Sequence, residues 1–507
     1  MTSVTWDAAV VGAGPGGLVA AGLLARAGRK VLLLEAHDKP GGTAGWYEAD
    51  GFTFDAGATT LIGFDPGDPL HALAEALRIP LGPGGLELEP VEGVEVIAGG
   101  ERFFFGREQN LWRDEVRRVF PAGAEDFFER VRGDGERLWH VAKSWPRLPL
   151  TSPSDLLRNL RVLRSPSSLL SLLCTFDRTV ADVERLSGAP SAHPAFRAFV
   201  DLSLLITVQS GPDVAPWWNS ALGLDLFRRG VSRARGGMKA FAGAFAGAAS
   251  AAGAEIRLRT PVTQLRREGS RWTLRTAGGE DVRARQVVAN LPAADLPLLL
   301  AGEETARASR AVRGKEEGWG AVVLNLGLSR PVNPHPRRLH RLVAPDSLFL
   351  SFSPPGDPAA PPGGQTLSVS THTDAGNWAS LRGEDYRTKK EEVRARMRTA
   401  LADLYPDLDA AVVHEDIGTP RTFRRFTRRG GGRVGGLPIT RRNSGFFAVD
   451  PTLGLPDFQL VGDTTFPGQG TLAAAVSGAL ASERLGAVRL LRGSGVGFRR
   501  WGTAETR

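Results

Sequence analysis

Residues 7–43 read DAAVVGAGPGGLVAAGLLARAGRKVLLLEAHDKPGGT, and this stretch decides the fold. Ala8–Val11 is a short apolar run of buried-strand type, followed by the G-x-G-x-x-G of Gly12, Gly14 and Gly17. The first glycine makes a tight turn and the second lets backbone approach a pyrophosphate. The third lets a helix pack close to its strand. Ala13 and Gly16 complete the turn. Leu18, Ala21, Leu24 and Ala25 then give one apolar helical face, and Gly28 stands where a C-terminal cap belongs. Val31–Leu34 is a second strand ending in Glu35 and Ala36, with the carboxylate placed to accept hydrogen bonds from ribose hydroxyls. An acid there argues against a 2′-phosphate, hence against NADP.

Context separates this match from a second one. Gly430, Gly432 and Gly435 fit the same pattern, but no strand precedes them, Arg428, Arg429 and Arg433 crowd them, and Pro438 follows. That segment reads as a flexible glycine loop. The choice between NAD and FAD comes from Gly41-Gly42-Thr43. It resembles the second glycine pair of glutathione-reductase-like flavoproteins, although an ordinary Pro-Gly-Gly turn would look alike. At the far end, the apolar strand Phe458–Val461 leads into Gly462-Asp463. Pro467-Gly468-Gln469-Gly470-Thr471-Leu472 then opens an Ala-rich helix. A strand ending in Gly-Asp beside a helix N-terminus is an anion and hydroxyl site.

Further pieces lie between. Phe54–Thr60 contains Gly57, Ala58 and Thr59. Ser232–Met238 precedes an Ala-rich helix and the strand Glu255–Leu258. Val262 follows Thr260-Pro261, and the strand pair Trp272–Thr276 and Asp281–Ala284 leads to Asn290. Together these blocks resemble the phytoene-desaturase-like branch of the FAD-dependent amine oxidase superfamily, which includes carotenoid desaturases, isomerases, ketolases and retinol saturases. The closing GDTTFPGQGTLAAAVSGA is similar to the hydroxycarotenoid 3,4-desaturases (methoxyneurosporene dehydrogenases), with Thr471-Leu472 where phytoene desaturases carry Val or Ile and then Pro.

The resemblance implies an α/β fold: a Rossmann-like FAD-binding domain of glutathione-reductase type with an inserted α+β substrate domain. By the same resemblance Asp463 would bind the ribityl chain and the helix start at Gly470 would face the flavin and phosphates. Val262 would meet the adenine through its backbone, Asn290 would close a strand near the cofactor, and the Gly57 loop would run close to the isoalloxazine. The implied reaction is desaturation of an acyclic carotenoid at C3–C4 of a 1-hydroxy end. Phytoene desaturation, isomerisation and ketolation are alternatives on the same scaffold. A polar-amine oxidase is disfavoured by the scarcity of tyrosine (Tyr47, Tyr386, Tyr405), and a flavin-free prenyl carrier by the intact glycines with Glu35 and Asp463.

Composition agrees with a large globular enzyme. The 507 residues are 42% hydrophobic and 23% charged, more than a single core normally holds. One cysteine, Cys174, excludes a disulfide framework and lies far from the closing flavin block, so FAD should be non-covalent. The histidines show no metal spacing, so no metal is expected. No segment reaches the roughly 20 apolar residues that span a bilayer, and the N-terminus lacks a signal peptide's basic region. The expected location is cytoplasmic, peripherally associated with the inner face of the membrane.

The chain carries a net charge of +8. Arg421, Arg424, Arg425, Arg428, Arg429, Arg433, Arg441 and Arg442 crowd one segment, but no nucleic-acid motif accompanies them. Leu156–Cys174 carries the better membrane signal: Leu156, Leu160 and Leu163, then Leu169, Leu170, Leu172 and Leu173, interleaved at first with Arg158, Arg161 and Arg164. Apolar helices of this kind lie in the headgroup plane of an anionic leaflet, and two ordinary cap helices would share the composition.

Residues 1–75, 228–295 and 445–492 read as a discontinuous FAD-binding domain. Residues 76–227, mainly helical, and 296–444 read as the substrate, membrane-facing domain, with 493–507 a frayed basic tail. Within 296–444 strands are expected at Ala321–Leu328, Leu348–Phe352 and Thr366–Thr371, and a charged helix at Tyr386–Leu404. Hydride transfer to flavin N5 with loss of a proton suits FAD chemistry, but no base stands out. His372 and Asp374 are the one polar cluster at a strand end, and Trp217 and Trp218 are candidates for a tunnel lining. With one dinucleotide site, electrons should leave to oxygen or a quinone.

Overall fold

The computed structural model describes residues 5–162, 176–315, 318–491 and 495–499. A first seven-stranded sheet runs in the order Val262–Glu268, Arg271–Thr276, Asp281–Ala289, Thr5–Val11, Val31–Leu34, Glu255–Arg257, with Phe458–Leu460 also paired to Asp281–Ala289. The strand from Thr5 to Val11 lies parallel to its neighbours on both sides, with Val11 level with Ala289 and with Leu34. Parallel strands covered on both faces read as continuous apolar runs. Accordingly Ala8, Val10 and Leu33 enter one core and Ala9, Val11, Leu32 and Leu34 another.

Helices Pro15–Arg26, Met238–Ala251 and Gly470–Arg484 supply the first of these cores. The glycine at position 16 explains how closely they meet: a Cβ there would lie 2.7 Å from the Ala474 carbonyl oxygen. Two helices thus start side by side at one end of the sheet.

The second sheet also has seven strands, in the order Val412–Gly418, Trp319–Leu328, Gln365–Asp374, Leu348–Phe352, His340–Val343, Gly93–Ala98, Glu101–Gly106. The strands expected after residue 296 are present. The Gly93–Ala98 and Glu101–Gly106 hairpin is an addition to the mainly helical reading of 76–227. It joins the sheet through a parallel pairing of Val94 with His340. One continuous core, rich in phenylalanine (Phe103, Phe105, Phe127, Phe128, Phe196, Phe199), ties the sheet to helices Ala124–Ala142, Pro194–Thr207 and Trp217–Leu224.

Three local expectations change. Trp217 is buried in that core with its indole N–H donating to Asp134 (2.7 Å), and Trp218 stacks on Phe176. The tail contains a short strand, Val496–Phe498, paired with Val488–Leu490. Helix Pro153–Val162 is inside out. Leu156, Leu157 and Leu160 are exposed, whereas Asp155 and Asn159 are buried and Arg158 turns inward to Glu483 (3.4 Å) and the Leu490 carbonyl (3.1 Å). Arg147 and Arg484 complete this buried network through Asp155 and Glu483. The remainder of the Leu156–Cys174 stretch, from Leu163 through Leu169, Leu170, Leu172, Leu173 and Cys174, lies outside the described residues. No helix among the described residues is long and apolar enough to cross a membrane.

Candidate cofactor and substrate site

A cavity of about 1240 Å³ lies between the two sheets. Ordinary ligand pockets hold roughly 300–1,000 Å³, so this one has room for more than a single drug-sized molecule. Of the residues singled out in the sequence, Gly12, Gly14, Glu35, Ala36, Gly42, Thr43, Gly57, Ala58, Thr59, Val262, Asn290, Gly462, Asp463, Gly470, Thr471, Leu472 and His372 share its wall. Ala13, Gly16 and Gly17 stand behind it, shaping the turn.

The first turn is built as its glycines require. Gly12 has φ of +94°, and a Cβ there would lie 2.8 Å from the Asn290 carbonyl oxygen. The Asn290 side chain fills the space above Gly14, so any side chain at position 14 would collide with it. Glu35 reaches back across the turn: its carboxylate accepts from the Ala13 N–H (2.5 Å) and the His37 N–H (2.8 Å). Both oxygens are held at the cavity wall with lone pairs to spare. Pro261, Val262 and Leu299 form an apolar wall close by. Helices Pro15–Arg26 and Gly470–Arg484 both present their N-termini to the cavity, where unpaired N–H groups and the helix dipole favour an anion. An acid at one end, two helix starts in the middle and glycine backbone beyond them fit a flavin dinucleotide.

Asp463 stands on the cavity wall and has a protein partner of its own. Its carboxylate forms a two-pronged ion pair with Arg429 (3.0 and 2.9 Å), both side chains nearly buried. Arg429 belongs to the second glycine match, and that loop is tightly packed. Gly430 N–H donates to Asp295 (2.8 Å), Gly436 lies against the Asp463 carbonyl, and Arg428, Arg429, Gly430 and Gly435 all line the cavity. The loop walls the site. Nothing in its local sequence shows this, because its partners Asp295 and Asp463 are distant in the chain.

The far wall comes from the second sheet. Alternation along Trp319–Leu328 sends Val322, Leu324 and Leu326 into the phenylalanine core and turns Ala321, Val323 and Asn325 to the cavity. Opposite Ala321 stands His372, with Trp319 edge-on to its ring at 6.3 Å. Burial pulls the imidazole down to about 4, so it is neutral at physiological pH. Asp374 is separated from it. It is exposed at the strand end, accepts from the Gly376 N–H (2.7 Å) and is not part of the cavity wall. Trp217 and Trp218 are absent from the wall as well, where Ile206, Leu222 and Leu226 stand instead.

A polar cluster missed in the sequence completes this wall. Asn325 Nδ2 donates to the Tyr47 hydroxyl (3.1 Å), and Ser368 Oγ donates to Asn325 Oδ1 (2.6 Å). Burial, then the nearby Asp416 carboxylate, raises the Tyr47 pKa. A lone asparagine in the apolar run AVVLNLGL is the signal that could have found it.

Comparison with known proteins follows the same line. The chain is 28% identical over 502 residues to the chloroplastic prolycopene isomerase of Daucus carota, covering 95% of this chain and 80% of the isomerase. It is 29% identical over 525 residues to the phytoene dehydrogenase of Streptomyces griseus (95% and 96% covered). It is 27% identical over 509 residues to the 4,4'-diapolycopene oxygenase of Methylomonas sp (94% and 97%). Among solved structures, cyclohexylamine oxidase from Brevibacterium oxydans IH-35A superposes with a TM-score of 0.60 at 16% identity, covering 95% of this chain and 100% of the oxidase. Putrescine oxidase bound to putrescine gives 0.61 at 16% identity, with 95% and 99% covered. The family description of a flavin containing amine oxidoreductase matches residues 15–486. The chain therefore belongs to the flavin-containing amine oxidoreductase family, and FAD is the cofactor that membership implies.

Proposed function

We propose that this protein is an FAD-dependent enzyme of carotenoid biosynthesis that desaturates an acyclic carotenoid, introducing a C3–C4 double bond next to a 1-hydroxy end. One observation carries the reading: the dinucleotide cradle opens into a cavity about 1240 Å³ in size whose far walls are largely apolar, which suits a long polyene better than a small amine. The carotenoid-acting relatives and the PGQG closing block support it.

In this reading the glycine turn, Glu35, Ala36, Gly42, Thr43, Asn290 and Asp463 hold non-covalent FAD, with Val262 at the adenine and the Gly57–Thr59 and Gly470–Leu472 segments near the flavin. Bound there, FAD supplies a hydride acceptor. The chain orients the polyene, keeps water out with Ile206, Leu222, Leu226 and Val323, and offers neutral His372 as the group that takes the departing proton. Two electrons then pass to a membrane quinone or oxygen.

The inside-out helix Pro153–Val162 gives the route to the substrate. Leu156, Leu157 and Leu160 face outward while Asp155 and Arg158 are spent on inward pairs, the arrangement of a surface that meets lipid. We place it on the inner face of the cytoplasmic membrane.

Isomerisation is the second reading, favoured by the prolycopene isomerases among the relatives. Expression in cells making different acyclic carotenoids, with product identification by mass and absorbance, separates the two. A product two hydrogens lighter supports desaturation, an isomer of unchanged mass supports isomerisation, and unchanged carotenoids refute both.

A further inference from the structure

The geometry points to a hydroxyl-recognition subsite formed by Tyr47, Asn325 and Asp416, which selects polyenes carrying an alcohol at one end. The inference rests on the polyene reading above and assigns the residues that read the end group.

The cluster is assembled by register. Asn325 stands level with Ser368 on one neighbouring strand and with Asp416 on the other, so the three side chains form a row across the sheet. Tyr47 arrives from the Trp46–Ala49 strand, its ring tilted against Phe54 at 5.4 Å. Asn325 is 3% exposed. Ser368 occupies its carbonyl oxygen and thereby settles which way the amide points, leaving Nδ2 toward Tyr47 and the cavity.

The hydrogen-bond inventory decides the ligand. The amide nitrogen has two N–H groups, and Tyr47 takes one. The Tyr47 hydroxyl accepts that bond and gives its own proton to the Asp416 carboxylate. The row therefore offers the second Asn325 N–H as a donor and the remaining lone pairs of Asp416 as an acceptor. An alcohol satisfies both kinds. A methyl-terminated chain satisfies neither and covers a buried amide N–H with hydrocarbon.

Position agrees with an end-group role. Lys390, Asp416 and Ile417 line the main cavity and also a smaller one of about 260 Å³, shared with Glu391, Arg394 and Glu415. The polar row thus sits where the apolar cavity gives way to a charged rim. A long chain lying in the cavity would present its terminus there.

The test uses the FAD-loaded protein and phosphatidylglycerol–phosphatidylcholine vesicles carrying either an acyclic carotene or its 1-hydroxy derivative. The shift of the flavin absorbance band is titrated for wild type, Tyr47→Phe and Asn325→Val. Wild type should favour the hydroxylated polyene by roughly tenfold to a hundredfold, since a site built to hydrogen-bond an alcohol disfavours the analogue lacking it. Both variants should bring that ratio close to one. Tyr47→Phe keeps the ring on Phe54, so a folding defect does not obscure the result. Equal response of wild type to both polyenes, or variants that weaken both alike and preserve the ratio, overturns the subsite and leaves the polyene reading standing. A flavin band that responds to neither polyene in wild type overturns the subsite together with the reading it rests on.

Discussion

Removing Asp463 should damage the protein twice, and the two effects can be separated. The carboxylate is paired to Arg429 by two contacts, 3.0 and 2.9 Å, with 13% and 12% of the side chains exposed. Breaking a buried ion pair from one side costs about 3–5 kcal/mol, because the surviving charge is stranded. The residual exposure argues for the lower end, so Asp463→Ala should lose about 3 kcal/mol in flavin-free protein. That is far more than the roughly 1 kcal/mol of a helix cap, and Asp463 makes no cap bond: Gln469 occupies the N-cap of the closing helix. Adding Arg429→Met removes the stranded charge and should recover most of the loss, since apolar replacement of a buried pair is often neutral. FAD affinity should behave otherwise. If Asp463 takes a ribityl hydroxyl, both single and double variants should bind FAD roughly tenfold to a hundredfold more weakly. Thermal midpoints of stripped protein and fluorescence titration with FAD read the two quantities. A single variant as stable as wild type, or a double variant with restored FAD affinity, would refute the reasoning.

Acid should destabilise the fold through two histidines. His372 is lowered to about 4 and His340 to about 3, both by burial. The unfolded chain therefore binds their protons near pH 6.5 while the folded chain does not, and stability falls with pH below that value by about 2 kcal/mol per histidine at pH 5. His372→Gln should reduce the pH dependence measured by urea unfolding; an unchanged slope would count against it. Leu156→Glu with Leu157→Glu and Leu160→Glu should abolish co-sedimentation with anionic vesicles without altering the melting temperature, because these side chains are exposed. Retained sedimentation would remove that helix from the membrane contact. Gly12→Ala places a Cβ at φ of +94° and 2.8 Å from the Asn290 oxygen. The purified variant should carry little or no flavin, and a full complement would contradict the tight-turn role.

Much of the fold was legible because backbone constraints write themselves into local sequence. The strand–glycine–helix–strand–acid order could be read at once, since Gly12 takes a positive φ and Gly17 packs against the Gly12 carbonyl within the same turn. Three strands of the second sheet, Trp319–Leu328, Leu348–Phe352 and Gln365–Asp374, were legible from apolar runs. Its membership was not: the Gly93–Gly106 hairpin joins by pairing Val94 with His340, and nothing local announces a partner that distant. The same limit hid the rest of the site. Tyr47 and Asn325 meet across 278 positions, and Arg429 reads as part of a loose glycine loop until Asp463 is seen beside it. Arginine among leucines suggested headgroup contact, yet Arg158 turns inward because Glu483 waits beneath it. Trp217 belongs to the core, where its N–H needed Asp134. Glycine-controlled geometry is local and readable, whereas polar pairing across the chain is not.

The central claim is that bound flavin takes a hydride from a polyene. Its most direct test mixes the yellow protein, without oxygen or quinone, with vesicles carrying a 1-hydroxy acyclic carotene, and follows both chromophores in one spectrum. The account predicts that oxidised-flavin absorbance bleaches in step with a red shift of the polyene, one double bond gained for each flavin reduced. Flavin that stays oxidised while the polyene is unchanged, or changes geometry at constant mass, would contradict it.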